Sequence, residues 1–208
     1  MQRIYSFLYS FGKIFSFIFT YKLSLGFEKI WVFIYSGWIS REFKFFGRNT
    51  IVRPGFSLLV GGEYITIGNN CRLGKSIQLT AWETQEEVGP QKIVIGENCA
   101  IGEGAHITAI KSIIIGNNVL IGKRVLITDN AHGRSEDILL NVPPEKRELY
   151  SKGAVLIGDN VWIGDKVSIL PGVTIGDNSI VGANSVVTKS IPPKSVAVGN
   201  PARIINYS

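Results

Sequence analysis

Two histidines, two cysteines and one loop of mixed charge hold most of the reactive chemistry in this chain of 208 residues. His132 lies in the run Thr128-Asp129-Asn130-Ala131-His132-Gly133-Arg134-Ser135-Glu136-Asp137. Nine of the twenty-five residues at 129–153 are charged, so the segment belongs at the surface. An imidazole there, with Asp129 close enough to orient its ring, is the best general-base candidate in the sequence. The plainer reading is a solvated loop histidine. His106 stands immediately before the inward Ile107, so its ring points away from the core as a surface or subunit-contact histidine. A catalytic zinc site needs three ligands, commonly histidines, and two do not make one, so no metal is expected. Trp82, beside Glu83, Glu86 and Glu87, either stacks on a sugar whose hydroxyls the carboxylates bind, or anchors its own loop.

The elements that must position these side chains follow a period of six. Between residues 153 and 188 an aliphatic residue returns at every sixth position: Ile157, Ile163, Ile169, Ile175, Val181 and Val187. The residue two before each is compact, as at Val161, Val167 and Ser179. Six matches neither a 3.6-residue helix nor uninterrupted strand alternation; it matches a short strand and a turn, repeated. Three such units close a triangular coil, and stacked coils bury an aliphatic column that none could bury alone. The glycine that often follows the aliphatic residue is expected to supply the permissive backbone of a corner. Upstream the phase is interrupted at 75–94, 108–114 and 128–156, and residues 47–62 form a lead-in before coils run from Ile65. Insertions leave a solenoid as loops and commonly build its working face, above all the extruded loop at 128–153. Cys71 and Cys99 fall in the compact inward slot and read as buried small hydrophobes, which fits a reducing compartment.

Residues 1–46 are of another kind, holding sixteen of the twenty-two aromatic residues and a net charge of +4 out of the chain's +6. Their helical spacing (Ile4, Phe7, Leu8, Phe11, Phe15, Ile18) makes them either the plug of the solenoid's open end or a helical segment in a membrane interface, and the two are compatible. The longest uncharged run is too short for a membrane-spanning helix. The repeat region is only mildly positive and shows no basic stripe, which argues against nucleic acid as a partner.

Several motifs together resemble the hexapeptide-repeat acyltransferases, in the O-acetyltransferase branch that acts on galactosides, maltose, nodulation factors and surface polysaccharides. They are the run at 127–133, Gly158-Asp159-Asn160-Val161-Trp162-Ile163-Gly164, Leu170-Pro171-Gly172-Val173-Thr174-Ile175-Gly176, the run at 186–193, and Val198-Gly199-Asn200-Pro201-Ala202-Arg203. The resemblance implies an all-β, left-handed parallel β-helix over 47–208 behind the helical segment 1–46. It also implies a homotrimer with sites between subunits and acetyl-coenzyme A as donor; a cytoplasmic location is expected, and the aromatic segment that replaces the family's usual helical cap points to a substrate held at the inner membrane face. His132 would take the proton of a sugar hydroxyl that attacks the thioester directly, without an acyl-enzyme. Trp162, Asp165, Ala183, Thr188, Lys189 and Arg203 would hold the coenzyme; Trp82 and Asn130 would meet the acceptor. Galactoside and maltose enzymes carry histidine where this chain has Asn130, and a further arginine where it has Asn206. Transfer to an amino-sugar nitrogen, and a binding solenoid without catalysis, are the competing readings.

Overall fold

The protein is described from a computed structural model, over residues 1–83, 91–133 and 141–205. Two helices lead the chain: α1 (Gln2–Ile18) and α2 (Tyr21–Ile39), the second capped by Thr20, whose hydroxyl accepts from the Leu23 N–H. The coil then begins. Its first turn is β1 (Phe45–Phe46), β2 (Ile51–Val52) and β3 (Leu58–Val60); its second is β4 (Ile65–Ile67), β5 (Arg72–Leu73) and β6 (Gln78–Ala81). The third is β7 (Ile93–Ile95), β8 (Ala100–Ile101) and β9 (His106–Ala109), and the fourth β10 (Ile113–Ile115), β11 (Leu120–Ile121) and β12 (Leu126–Thr128). A hairpin of β13 (Ala131–His132) and β14 (Leu149–Tyr150) intervenes. Two more turns follow: β15 (Val155–Ile157), β16 (Trp162–Ile163) and β17 (Ser168–Ile169), then β18 (Thr174–Ile175), β19 (Ile180–Val181) and β20 (Val186–Val187). β21 (Val196–Gly199) and β22 (Ala202–Ile205) close the chain as an antiparallel pair.

Each strand pairs in parallel with its counterpart one turn on, save the antiparallel β21–β22, giving three sheets ordered β1-β4-β7-β10-β15-β18, β2-β5-β8-β11-β16-β19-β21-β22 and β3-β6-β9-β12-β17-β20. These are the three sides of a parallel solenoid, called here first, second and third. Register holds the aliphatic columns in line, as in Ile107↔Ile127↔Ile169↔Val187, all of them fully buried. Cys71 and Cys99 occupy the compact slots, buried and free, their thiols donating to the carbonyls of Gly96 and Gly116 at 3.0 and 3.1 Å. Toward the far end the same slots hold Ser179 and Ser185. Both hydroxyls are satisfied, by the Pro192 carbonyl and the Gly199 N–H.

Three features depart from what the sequence phase suggests. The coil starts within the aromatic segment, because β1 pairs with β4 and Phe43 joins the core. Residues 108–114 do not leave the coil: the step from Ile107 to Ile127 is twenty residues where the regular turn from Ile157 to Ile175 takes eighteen, and the excess is absorbed in one corner. The glycines after the aliphatic positions, finally, are not the residues with unusual backbone. A side chain at Gly68 would meet the Gly96 carbonyl carbon at 2.6 Å, and one at Gly96 the Gly116 oxygen at 2.5 Å; stacked coils approach too closely for any Cβ. Positive φ falls two residues later, on Asn70, Asn98, Asn118, Asn160 and Asn178, a residue type that tolerates the left-handed region. Their amides also bond from coil to coil, Asn70 to Asn98 at 3.2 Å and Asn118 to Asn160 at 3.1 Å.

α2 lies against the first coil with Val32, Ser36 and Ile39 buried, and the Ser36 hydroxyl accepts from the Val52 N–H at 2.8 Å. It therefore covers the open end of the aliphatic columns, as an end cap must.

Candidate active site

The chain leaves the third side after β12 and returns at β15, and what it builds between them faces that side. Departure is fixed by Thr128 and Asn130: the Thr128 hydroxyl accepts from the Asn130 N–H at 3.1 Å, and the Asn130 amide donates to the Thr108 carbonyl at 3.1 Å. β13 then pairs with β14, so that His132 stands opposite Leu149. Gly133 turns the strand with φ +82 and donates its N–H to the Glu148 carbonyl at 3.0 Å. Arg147 braces the return through Nε to the Val142 carbonyl at 2.8 Å. His132, exposed on this hairpin, shares a cleft of about 470 Å³ with outward residues of the third side.

In-register strands supply the cleft's floor. Leu58, Gln78 and His106 form one outward row and Thr80 and Thr108 the next, with Asn130 and His132 on one wall and Trp82 at another. His106 is half-buried, and burial lowers its pKa from the ordinary value of 6.5, so the ring is neutral at neutral pH. Position before an inward isoleucine correctly turned this ring outward, but nothing in the local sequence brought it to the same cleft as His132. The Thr80 hydroxyl is buried and has no hydrogen-bond partner among the described residues, a polar atom left for whatever fills the cleft. Trp82 is 40% exposed and held by its backbone N–H to the Ala109 carbonyl, leaving the indole at the mouth. Glu83 accepts from the Tyr64 hydroxyl at 3.1 Å; Glu86 and Glu87 lie outside the described residues, as do 134–140 and Asn206.

Asp129 does something other than orient the His132 ring. Fully buried, its carboxylate accepts from the N–H groups of Ile110, Lys111 and Ser112 at 2.9, 2.8 and 2.7 Å, and from the Asn130 amide. Both oxygens are taken up by the enlarged corner at 110–112, and no hydrogen bond joins the carboxylate to His132 among the described residues. The buried Lys92 ties the same corner, donating from Nζ to the Ile110 carbonyl at 2.5 Å. Sequence reasoning missed this clasp, because a carboxylate three residues from an imidazole looks like its partner until the coil is closed.

The residues expected to hold a coenzyme lie elsewhere on the protomer. Trp162 projects from β16 on the second side, 52% exposed. Asp165 and Ala183 sit on the corner between second and third sides, where Asp165 caps the Lys123 N–H at 2.8 Å beside a cleft of about 210 Å³ lined also by Glu103, Arg124 and Lys166. Thr188 and Lys189 follow β20, and Arg203 lies on β22, all three exposed. None of these six lines the His132 cleft. The described residues thus place the His132 cleft and these six residues on different parts of the coil.

Residues 154–189 match the family described as bacterial transferase hexapeptide (six repeats), and residues 92–128 match the hexapeptide repeat of succinyl-transferase. A putative lipopolysaccharide biosynthesis O-acetyl transferase, WbbJ of Escherichia coli, is 46% identical over 103 residues, 48% of this chain and 52% of that one. Galactoside O-acetyltransferase of the same organism is 46% identical over 94 residues, 45% of this chain and 43% of its own length. The chain thus spans about half the length of these curated relatives. Among solved structures, a variant of AntD, an N-acyltransferase from Bacillus cereus in complex with dTDP and coenzyme A, superposes with a TM-score of 0.67 at 25% identity, covering 79% of this chain and 83% of that one.

Proposed function

We propose, for a chain that belongs to the hexapeptide-repeat transferase family, an acetyl-coenzyme A-dependent O-acetyltransferase acting on a sugar hydroxyl of a bacterial surface glycan or its precursor, in the cytoplasm. The observation that carries this reading is His132, exposed on a braced hairpin over a cleft lined with two hydroxyls, two amides and an indole. In it the coil is left-handed and three copies assemble so that Trp162, Asp165, Ala183, Thr188, Lys189 and Arg203 of one subunit face the His132 cleft of the next. Acetyl-coenzyme A would supply an acyl group as a thioester, whose sulfur departs as the thiol.

The chain's own residues do the rest. Trp82 offers an apolar face for a pyranose ring, while Thr80, Thr108 and Gln78 address its hydroxyls. Ala109 and Ile110 are buried, so acceptor contacts come from these outward rows and not from the positions after them. His132 accepts the proton of the attacking hydroxyl as the new carbon–oxygen bond forms, and returns it to the departing sulfur. Both cysteines are buried inward, which agrees with direct transfer.

The test is thiol release from acetyl-coenzyme A with candidate glycans, followed spectrophotometrically. His132→Ala should lower kcat by about 10²–10⁴-fold; unchanged turnover removes the proposed base. Likeness to AntD, an N-acyltransferase, favours a second reading, transfer to an amino-sugar nitrogen. An ester product is cleaved by mild alkali and an amide is not, so the product's lability decides between them.

A further inference from the structure

Helix α1 buries none of its residues. One of its faces carries Ile4, Phe7, Leu8, Phe11, Phe15 and Ile18, all exposed, while Gln2, Ser6, Ser10, Lys13 and Ser16 share the other with the exposed Tyr9 and Phe17. α2 has two apolar faces: Val32 and Ile39 rest on the first coil, and Phe27, Trp31, Ile34 and Trp38 point away, each more than half exposed. Ring contacts of Phe11 with Phe15 at 6.2 Å, Phe15 with Phe19 at 5.5 Å and Phe19 with Phe27 at 5.7 Å run the α1 face into the outer face of α2 as one surface. Single exposed apolar residues are ordinary, but a contiguous aromatic surface of this length needs a partner.

Charge says which partner. Glu28 is the one acidic residue before Glu42, and Lys75 of the coil pairs with it at 3.6 Å. What flanks the apolar surface is then cationic: Arg3, Lys13, Lys22 and Lys29. A second copy of the segment would bring like charge against like charge. An anionic bilayer meets both demands, taking the aromatic face into its acyl boundary and the cations at its headgroups, with the tryptophans at the depth they favour. No helix of the described residues is long and apolar enough to cross a membrane, so the pair lies in the surface plane.

We propose that α1 and α2 form an in-plane anchor that docks the capped end of the solenoid on an anionic lipid surface. Coils stack at about 4.8 Å, so the cleft, built from the first four, opens within about 20 Å of the headgroups. An acceptor carried on lipid would reach it; this last point alone rests on the transferase reading, and the docking does not.

Flotation of the full chain with phosphatidylcholine vesicles, with and without phosphatidylglycerol, tests the proposal without any assay of turnover. The protein should float with the anionic vesicles and bind neutral ones at least tenfold more weakly, each cation being worth about fivefold. Phe11→Ser/Phe15→Ser should weaken binding more than a hundredfold, and Lys13→Glu/Lys22→Glu more than tenfold, with thermal midpoints unchanged because these positions support no core. A wild-type chain that stays in the soluble fraction with anionic vesicles overturns the proposal. So does a Phe11→Ser/Phe15→Ser variant that floats undiminished, or one whose only change is a smaller assembly in sedimentation, which would make the surface a contact between copies.

Discussion

Asp129 and His132 stand three residues apart and are held for different work. The carboxylate is buried on three backbone N–H groups, while the imidazole is exposed on the hairpin. Removing the first strands buried donors; removing the second strands nothing. Asp129→Ala should therefore cost about 3 kcal/mol of stability, whereas His132→Ala should stay within about 0.5 kcal/mol, as measured by thermal or denaturant unfolding. Equal losses would return Asp129 to the role of ring partner. His106 makes a separate prediction through its lowered pKa. A base held below its unfolded value contributes stability that is whole above 6.5 and is lost as pH falls, because the unfolded chain takes the proton first. Wild type should thus lose more of its thermal midpoint than His106→Gln between pH 7.5 and a pH about one unit below 6.5. Parallel curves would place the ring in open solvent.

Coil elements explain why glycine and asparagine are spaced as they are. Gly96→Ala drives a Cβ to 2.5 Å from the Gly116 oxygen in the next coil, where backbone must move, and should cost about 3 kcal/mol. Gly12→Ala meets nothing within 4 Å and lies in α1, so it should raise helicity and cost no stability. A common sign for the two in thermal unfolding would refute close approach as the cause. The inward column at 157–187 was legible because burial repeats strictly, and it returned the strands, their order and the slots of both cysteines. Asparagine three residues after Ile67, Ile95, Ile115, Ile157 and Ile175 was an equally regular signal for the left-handed corner, and the glycines drew attention from it. The first coil was illegible because its inward residues Phe46, Val52 and Leu59 step by six and then by seven, which breaks the phase. Gln78 and His106 could not be joined from sequence, since only the parallel register of β6 with β9 sets them side by side, and Trp82 lines the same cleft four residues further on.

At the scale of the whole molecule, one protomer presents the imidazole over its third side and the indole of Trp162 on its second, so a complete site in the proposed reading must be shared. That sharing has a numerical consequence. His132→Ala and Trp162→Ala each disable the proposed site, and each changes an exposed side chain, so both variants should fold. Co-expressed in equal amounts, they would on that reading assemble at random into trimers in which a site draws its imidazole from one subunit and its indole from the next. The imidazole is intact in half the subunits and the neighbouring indole in half, so about a quarter of the wild-type rate should return in the mixture although each variant alone is inactive. A mixture no more active than its parts would mean that imidazole and indole serve a site within one subunit, and the second side's exposed tryptophan would then need another purpose. Rotational symmetry also bears on the anchor. If three subunits stack their coils along a common axis, all three helix pairs lie at the same end, and anchors that bind weakly one at a time bind strongly together. Dilution of the assembly to single subunits should therefore release it from anionic vesicles before any coil unfolds, which flotation at falling protein concentration would reveal.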